Sequence, residues 1–378
     1  MKTGKSIVQL ATELQRRAQT KQDFVAKTSA LSMEVDQDFQ RLIEDDFTRL
    51  LKLNVGSEKF GINALCHDQI GGWANIPAAY YDRMVREQPA LLATNVNTWL
   101  HAANVADKKR MVRTLDGHAR AFLSDGYRPM ENEDLASAIL PILLDGNAFE
   151  IMSAEVTDRR LYLKVVSKTV ARELAKSGNY FGDGQHKIVR ITAPAITISN
   201  SEVGQGLLSI QAGVYDSFCS NLATFSERSL QRRHVGARHD LVSDELYAML
   251  SDDTRKKTDE ALWGQVRDVV KNAFDEGKFN SLVDQIEGSQ ADRIDKTADV
   301  VKVVKVAGQK LGIQEGEQKG ILQCLIEGGD LSRFGLYNAV TQFSQSVESY
   351  DRATELERVG AQVVELPKAD WQQIATAN

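Results

Sequence analysis

The sequence predicts an α+β fold in which a central antiparallel sheet with a packed helix is flanked by N-terminal and C-terminal helical layers. The main observation is a change of period. Apolar residues recur every three or four positions before residue 107, alternate with polar residues from 107 to 240, and return to the helical spacing afterwards. Short connections separate the alternating runs, as is typical of antiparallel strands. The chain has 378 residues, 42% of them hydrophobic and 26% charged, which is the composition of a globular protein.

We divide the chain into four regions. They are a helical lead (1–60), an N-terminal helical layer (61–106), an antiparallel sheet core (107–240) and an acidic C-terminal helical region (241–378). In the lead, Leu10, Leu14 and Ala18 share one face of a predicted helix, and the run from Phe39 to Leu51 predicts a second helix. In the next region, Gly71-Gly72, Pro77 and Pro89 interrupt the helical pattern, which predicts three short helices.

The sheet core shows local turn signals. Asp116-Gly117 predicts a tight turn between two strands, and Asn132 followed by two acids predicts the start of a helix that Gly146 ends. Two further strand pairs are expected around residues 157–159 and 202–206. The order strand–helix–strand–strand–strand–strand, with short connections, predicts one antiparallel sheet with a helix packed on it.

The C-terminal region is predicted to be helical and acidic. Residues 281–297 are polar and predict a connection, whereas Leu336 to Val363 keep one apolar face that predicts a single long helix ending before Pro367. Residues 241–378 carry 16 basic and 24 acidic side chains, while residues 101–240 carry 18 basic and 16 acidic ones. Any site for a polyanion is therefore expected in the middle of the chain.

Several functional classes are not expected. No run approaches the roughly 20 apolar residues of a membrane span, the N-terminal residues do not form a secretory signal, and three scattered cysteines fit a reducing cytoplasm. No phosphate-binding loop joins a strand to a helix, and Cys66-His67 lacks further ligands at metal-site spacing. The sequence therefore predicts no cofactor, no metal and no catalytic residue, and thus a protein that is not an enzyme, although an enzyme using the turn at residues 199–206 stays a third possibility.

Two basic clusters flank the predicted sheet. The first begins at Lys108 and the second follows the last predicted strand. From these clusters we predict a nucleic-acid site made of Arg110, Arg113, Arg120, Arg128, Arg232, Arg233 and Arg238, with Tyr127 stacking on a base. Interleaved acids such as Asp107, Asp116 and Asp125 support the competing interpretation, a solvated face on which the basic side chains form salt bridges.

Several ordered segments together carry a family resemblance. They are RTLDGHARAFLSDGYRPMENEDL, PAITISNSEVGQGLLSIQAGVYDSFCSNL, QRRHVGARHD and YNAVTQFSQSVESYDRATELERVG, preceded by FGINALCHDQIGGWANIPAAYYDRMV. Over about residues 55–366 the chain resembles a phage- and plasmid-borne family known only as a domain of unknown function (number nine-three-two). The resemblance implies a mobile-element origin and a cytoplasmic location, and brings no activity or catalytic residues. A fold-level similarity to Rad52-like single-strand annealing proteins implies an oligomer that binds single-stranded DNA in a basic groove.

The leading hypothesis is a phage- or plasmid-encoded, oligomeric protein that binds single-stranded DNA in annealing or recombination. The alternative is a non-enzymatic mobile-element protein that binds a host protein through its acidic C-terminal region, in counter-defence or host takeover. Either way the expected partners are other macromolecules rather than a membrane, with a homo-oligomer as the expected assembly.

Overall fold

The computed structural model describes residues 1–36, 50–174, 190–206, 208–217, 219–232 and 252–378, and its fold class is α+β, as the sequence predicts. The predicted single sheet is wrong, because the strands form two six-stranded sheets. The sequence-based division assigned the first strands to a helical lead, although the short runs at residues 31–35 and 51–55 alternate apolar and polar residues.

The first sheet is built from residues 22–124. Its strands are β1 (Gln22–Lys27), β2 (Leu31–Val35), β3 (Leu51–Val55), β4 (Glu58–Ile62), β5 (Lys109–Leu115) and β6 (His118–Ser124). Their order across the sheet is β1-β5-β6-β4-β3-β2, and all neighbours are antiparallel except the parallel pair β4 and β6. Asp116 and Gly117 have φ angles of 51° and 77°, which confirms the tight turn that this dipeptide predicts.

Helices cover one face of the first sheet. They are α2 (Ala64–Trp73), α3 (Ala78–Glu87) and α4 (Pro89–Leu100). The helix α1 (Ile7–Thr20) precedes β1, and its buried Leu10 and Leu14 lie in a different apolar cluster, together with Leu135 and Leu163. Val112 and Phe122 of the sheet lie in one apolar cluster with Ile70 and Leu92 of the helices. The prediction of three short helices is confirmed, although α2 continues through Gly71-Gly72 and ends just beyond them. The helix predicted from Phe39 to Leu51 is wrong at its C-terminal end, because Leu51 begins β3. Residues 39–49 lie outside the described residues.

The second sheet follows α5 (Asn132–Leu144). Its strands are β7 (Phe149–Val156), β8 (Leu161–Ser167), β9 (Arg172–Glu173), β10 (Ile191–Asn200), β11 (Leu208–Asp216) and β12 (Asn221–Arg232). The order is β12-β11-β10-β8-β7, with β9 also paired to β10, and every pair is antiparallel. The predicted hairpins at 157–159 and 202–206 are confirmed, whereas the sequence did not predict β12. Leu163 and Ile198 pack with Leu135 and Ile139 of α5 to form the core on one face.

The C-terminal region is helical, as predicted. Its helices are α6 (Asp252–Asn272), α7 (Glu276–Gly288), α8 (Val300–Leu311), α9 (Glu315–Gly328), α10 (Arg333–Phe343), α11 (Tyr350–Glu365) and α12 (Lys368–Ala375). Leu336 and Leu356 share an apolar cluster with Val214 and Phe225 of the second sheet, so these helices complete the core of that sheet. Within the described ranges, no helix is both long and apolar enough to cross a membrane.

Two helix predictions in this region are wrong. The long helix from Leu336 to Val363 is divided, because α10 ends at Phe343, a short 3₁₀ turn follows, and α11 begins at Tyr350. The side chain of Ser349 accepts a hydrogen bond from the Arg352 N–H, which caps the new helix. The predicted connection at 281–297 is helical in its first half, since α7 continues to Gly288.

A buried ion pair attaches α11 to the second sheet. Lys164 on β8 and Glu357 on α11 are both fully buried, and the Lys164 Nζ lies 2.9 Å from Glu357 Oε1 and 2.7 Å from Oε2. Burial lowers the pKa of Lys164, and the charge of Glu357 opposes that shift. The Tyr350 ring lies 4.6 Å from the same Nζ, and its hydroxyl is 2.6 Å from Ser153 Oγ. Because an ammonium group and a carboxylate are both withdrawn from water, each requires the other.

Removing one member of this pair should destabilise the fold. We expect Glu357→Leu alone to lower the free energy of unfolding by about 3–5 kcal/mol, because it leaves a buried charge without its partner. The double variant Lys164→Met/Glu357→Leu should recover most of that loss, since an apolar pair of similar volume replaces two desolvated charges. Urea unfolding of the three proteins measures the difference, and a double variant no more stable than the single one would contradict this explanation.

Candidate nucleic-acid interface

The structure distributes the sequence-predicted site residues over different environments. Arg113, Arg120 and Tyr127 are buried, with 1%, 5% and 7% of their surface exposed, whereas Arg110 and Arg128 are half-buried. Arg232 ends β12, and its side chain, like the whole of Arg233 and Arg238, lies outside what the structure describes. The second basic cluster therefore stays a prediction.

Arg113 has all three guanidinium nitrogens engaged inside the protein. Nε donates to Asp23 Oδ1 at 2.8 Å, Nη1 to the main-chain oxygen of Glu202 at 2.8 Å, and Nη2 to Glu131 Oε1 at 2.5 Å. Burial by itself would lower the pKa of Arg113, but the carboxylates of Glu131 and Asp23 outweigh it and raise that pKa. Arg113 is therefore a permanently charged structural group, which corrects its assignment to phosphate binding.

Arg120 lies at a bulge in the pairing of β5 with β6. Arg113 pairs with Ala121 and Thr114 with Ala119, so residue 120 is the extra residue of β6. Its Nη1 donates to Glu202 Oε2 at 2.8 Å, and the other oxygen of Glu202, Oε1, accepts from the Asn132 main-chain N–H at 2.7 Å. The bulge thus directs Arg120 into the interior, and a phosphate has no access to it in this conformation.

Tyr127 also has an internal role. Its hydroxyl donates to the Ser201 main-chain oxygen at 3.1 Å and accepts from the Gly204 N–H at 3.2 Å. The ring is buried beside the turn that joins β10 to β11, so it has no open face for a base. Together with Arg113 and Arg120, it holds that turn of the second sheet against the first sheet.

We call this network the Glu202 hub. Its members are Lys21, Asp23, Arg113, Arg120, Glu131 and Glu202. Burial by itself would raise the pKa of Glu131, but Arg113 and Lys21 outweigh it and lower that pKa, so the carboxyl is ionised at neutral pH. The hub joins the two sheets through Arg113, Arg120 and Glu202, which are buried, and through Lys21, Asp23 and Glu131 at its more exposed rim.

Three carboxylates near the hub also have the spacing of a metal site. Oxygens of Glu131, Glu133 and Glu202 lie within 4.8 Å of one another. However, the Lys21 Nζ donates to Glu131 Oε2 at 2.8 Å and to Glu133 Oε1 at 2.6 Å. The ammonium group already supplies the positive charge that the clustered carboxylates require, so we assign this cluster to structure rather than to metal binding.

An open cleft lies along the outer end of β5. It is lined by Asp107, Lys108, Lys109, Arg110, Ser124 and Asp125 and has a volume of about 430 Å³. We call it the β5 cleft. Lys108 and Lys109 are exposed, and neither they nor Arg110 form an ion pair with any residue that the structure describes. Three consecutive cations therefore face one cleft without an internal counter-charge at contact distance.

Arg110 is held in place by aromatic rings instead of acids. Its guanidinium carbon lies 5.5 Å from the centre of the Trp73 ring and 5.7 Å from that of Phe122. Burial lowers the pKa of Arg110, and the charge of Asp125 partly opposes this. Its buried Nε has no hydrogen-bond partner in the described part of the chain. A partly desolvated cation with an unused donor is a favourable partner for an anion.

Two of the acids that interrupt the first basic cluster form ion pairs with cations from outside that cluster. Lys27 on β1 lies 2.7 Å from Asp107, and Arg16 on α1 lies 2.7 Å from Asp116, which also accepts from the Thr20 hydroxyl. Neither acid forms an ion pair with Lys108, Lys109 or Arg110. These two acids therefore do not neutralise Lys108, Lys109 and Arg110, and Asp125, which lines the same cleft, forms no ion pair with them.

Sequence reasoning missed part of this cleft. Lys108 and Lys109 belonged to the first basic cluster without being chosen as site residues, Asp125 was counted only among the interleaved acids, and Ser124 and Trp73 were not considered. The tight turn at 116–117 alone would pair Arg110 with Leu123, and the bulge at Arg120 shifts the partner of Arg110 to Ser124. The position of Trp73 depends on how α2 packs on the sheet, and no local pattern shows that.

Comparison of the chain with models of protein families, with curated proteins and with solved structures found no match. The resemblance to a phage- and plasmid-borne family rests on the ordered sequence segments and stays a prediction.

Loss of the central carboxylate should destabilise the junction of the two sheets. We expect Glu202→Ala to lower the free energy of unfolding by about 3–5 kcal/mol, because Arg120 would remain buried without its carboxylate. Glu87→Ala is the matched control: it removes one carboxylate from the exposed pair with Arg83, and exposed pairs contribute little. Urea unfolding of both variants measures the effect, and equal midpoints would contradict the structural role of Glu202.

Proposed function

We propose that the protein is a non-enzymatic, oligomeric phage- or plasmid-encoded protein that binds single-stranded DNA through the β5 cleft, in annealing or recombination in the host cytoplasm. One observation carries the proposal: Lys108, Lys109 and Arg110 face one cleft, and none of them forms an ion pair within the described residues. Proteins that bind single strands use such basic grooves to follow the phosphate backbone.

The chemistry of the cleft suits a nucleotide. The two lysines present mobile ammonium groups that suit phosphate as point charges, whereas the Arg110 guanidinium is fixed against Trp73. Ser124 adds a hydroxyl, which can donate or accept a hydrogen bond at a base edge, and Asp125 adds a carboxylate, which can accept one. A cleft of about 430 Å³ has the size of a small-ligand pocket, which is enough space for one nucleotide.

The proposal differs from the sequence-based site in its residues. Arg113 and Arg120 act through the Glu202 hub, and Tyr127 holds the turn between β10 and β11, so these residues position the sheets instead of contacting DNA. Arg110 keeps its predicted role, and Lys108 and Lys109 join it. Arg232, Arg233 and Arg238 stay candidates for a second contact along the strand.

Removal of the two lysines should weaken DNA binding. We expect Lys108→Ala/Lys109→Ala to reduce affinity for a labelled oligonucleotide about ten- to a hundredfold at low salt, because two phosphate contacts are lost. The slope of log affinity against log salt should become shallower by about 1.4, since each phosphate of a single strand contributes about 0.7. Fluorescence anisotropy over a salt series measures both quantities.

The matched control is Lys302→Ala/Lys305→Ala, which removes two exposed lysines of α8 that also lack an ion pair within the described residues. It changes the net charge by the same amount and should leave affinity nearly unchanged. Equal losses in the two double variants would reject the β5 cleft as the site. No binding by the unaltered protein at low salt would reject the proposed function.

The alternative, binding of a host protein through the acidic C-terminal region, rests on the charge of residues 241–378 and on exposed apolar side chains there. Val301 on α8 and Ile326 on α9 are 59% and 61% exposed. Deleting the chain from Leu331 onward would not test this alternative cleanly. The deletion would also remove Leu336 and Leu356, which belong to the core of the second sheet. Val301→Glu and Ile326→Glu keep the core and should abolish capture of a host partner under this alternative, while leaving DNA binding intact.

A further inference from the structure

Among the residues that the structure describes, the outer edge of β1 has main-chain groups without partners. The Thr28 N–H donates to the Lys108 oxygen, and β1 pairs with β5 in a regular antiparallel register. Because bonded residues alternate along such a pair, Gln22, Phe24 and Ala26 exchange hydrogen bonds with β5. The N–H and C=O groups of the residues between them, Asp23, Val25 and Lys27, therefore point away from the sheet.

Two other sheet edges are covered, which sets β1 apart. At the opposite edge of the first sheet, the Asn97 side chain accepts from the Met33 N–H at 2.7 Å and donates to its oxygen at 2.9 Å. His101 Nε2 lies 2.9 Å from the Leu31 oxygen of the same strand. On β7, the Lys5 N–H donates to the Ala154 oxygen. Edge strands left open invite the addition of another strand.

We propose that β1 is a dimerisation edge, which pairs antiparallel with β1 of a second copy of this chain to form one continuous twelve-stranded sheet. Only the outward-pointing residues can exchange hydrogen bonds, so the register must place Asp23, Val25 and Lys27 opposite one another. The register centred on Val25 uses all of them and forms about six main-chain hydrogen bonds.

Charge complementarity selects the second copy as the occupant. In this register, Asp23 lies opposite Lys27 of the second copy, and Lys27 lies opposite its Asp23, so two cross-strand ion pairs form. At the twofold axis, Val25 meets Val25 of the second copy, and both are 53% exposed in the free chain. The edge strand is thus complementary to itself in charge and in apolar surface, as an isologous interface requires.

The side chains have room for these contacts. Asp23 uses only Oδ1 for its hydrogen bond with Arg113, and the exposed Lys27 pairs with the exposed Asp107. A lysine on an edge strand ordinarily discourages pairing. Opposite an aspartate, the same lysine favours this one register and disfavours others.

The dimer would extend the β5 cleft. The twofold axis is perpendicular to the sheet, so Arg110 of both copies lies on the same face of it. Their Cα atoms would be separated by three strand spacings and two residues along the strand, or roughly 16 Å. One DNA strand could then contact both clefts. Dimerisation itself requires no nucleic acid, so it stands or falls separately from the proposed function.

Sedimentation velocity of the full-length protein without DNA tests the interface. We expect a monomer–dimer equilibrium, and we expect Val25→Lys to raise the dissociation constant at least about tenfold, because two ammonium groups would meet at the axis. Val8→Lys is the control, since Val8 is an exposed valine of α1 away from this edge. A monomeric unaltered protein, or a dimer unaffected by Val25→Lys, would overturn the proposal.

A second variant keeps the test independent of position 25. Lys27→Glu places two acids opposite each other and should also weaken the dimer, whereas Lys302→Glu makes the same charge change on α8 and should not. Both variants alter exposed side chains outside the core, and circular dichroism checks that they are folded. Equal dissociation constants for Lys27→Glu and Lys302→Glu would reject the proposed register.

Discussion

The Glu202 hub is the interaction on which the arrangement of the two sheets depends. Its carboxylate is almost completely buried and is bound by Arg120 and by the start of α5, while its main-chain oxygen is bound by Arg113. Charges withdrawn from water are tolerated only when every partner is in place. The turn between β10 and β11 therefore has one acceptable position against β5 and β6, and the two sheets are joined in that position.

The same strand supplies both the structural and the candidate binding cations. Arg113 and Arg110 are three residues apart on β5, so they project from opposite faces of the sheet. Arg113 points to the hub and is neutralised there, whereas Arg110 packs on Trp73 beside Lys108 and Lys109. Asp23, Glu131 and Glu202 form ion pairs with Arg113 and Arg120 in the hub. The β5 cleft has three basic side chains in its lining against two acidic ones, so its net charge is positive. The pleat of one strand thus gives Arg110 and Arg113 different surroundings and different roles.

Sequence reasoning predicted features determined by neighbouring residues and missed those determined by distant ones. The Asp116-Gly117 turn, the hairpins and the three short helices follow from local chemistry, and all are present. The burial of Arg113 depends on Glu202, 89 positions away along the chain, and the bulge that turns Arg120 inward depends on pairing with β5. The division of the strands into two sheets, and the interruption of the last long helix near Ser349, likewise depend on packing that periodicity does not reveal.

Hydrogen–deuterium exchange with and without a single-stranded oligonucleotide tests the central claim most directly, because it reports contacts along the whole chain without any substitution. The account predicts slower exchange at residues 107–113 and 122–126 when DNA is bound, with no change in α8 and α9. Protection confined to the C-terminal helices, with unchanged exchange along β5, would contradict it.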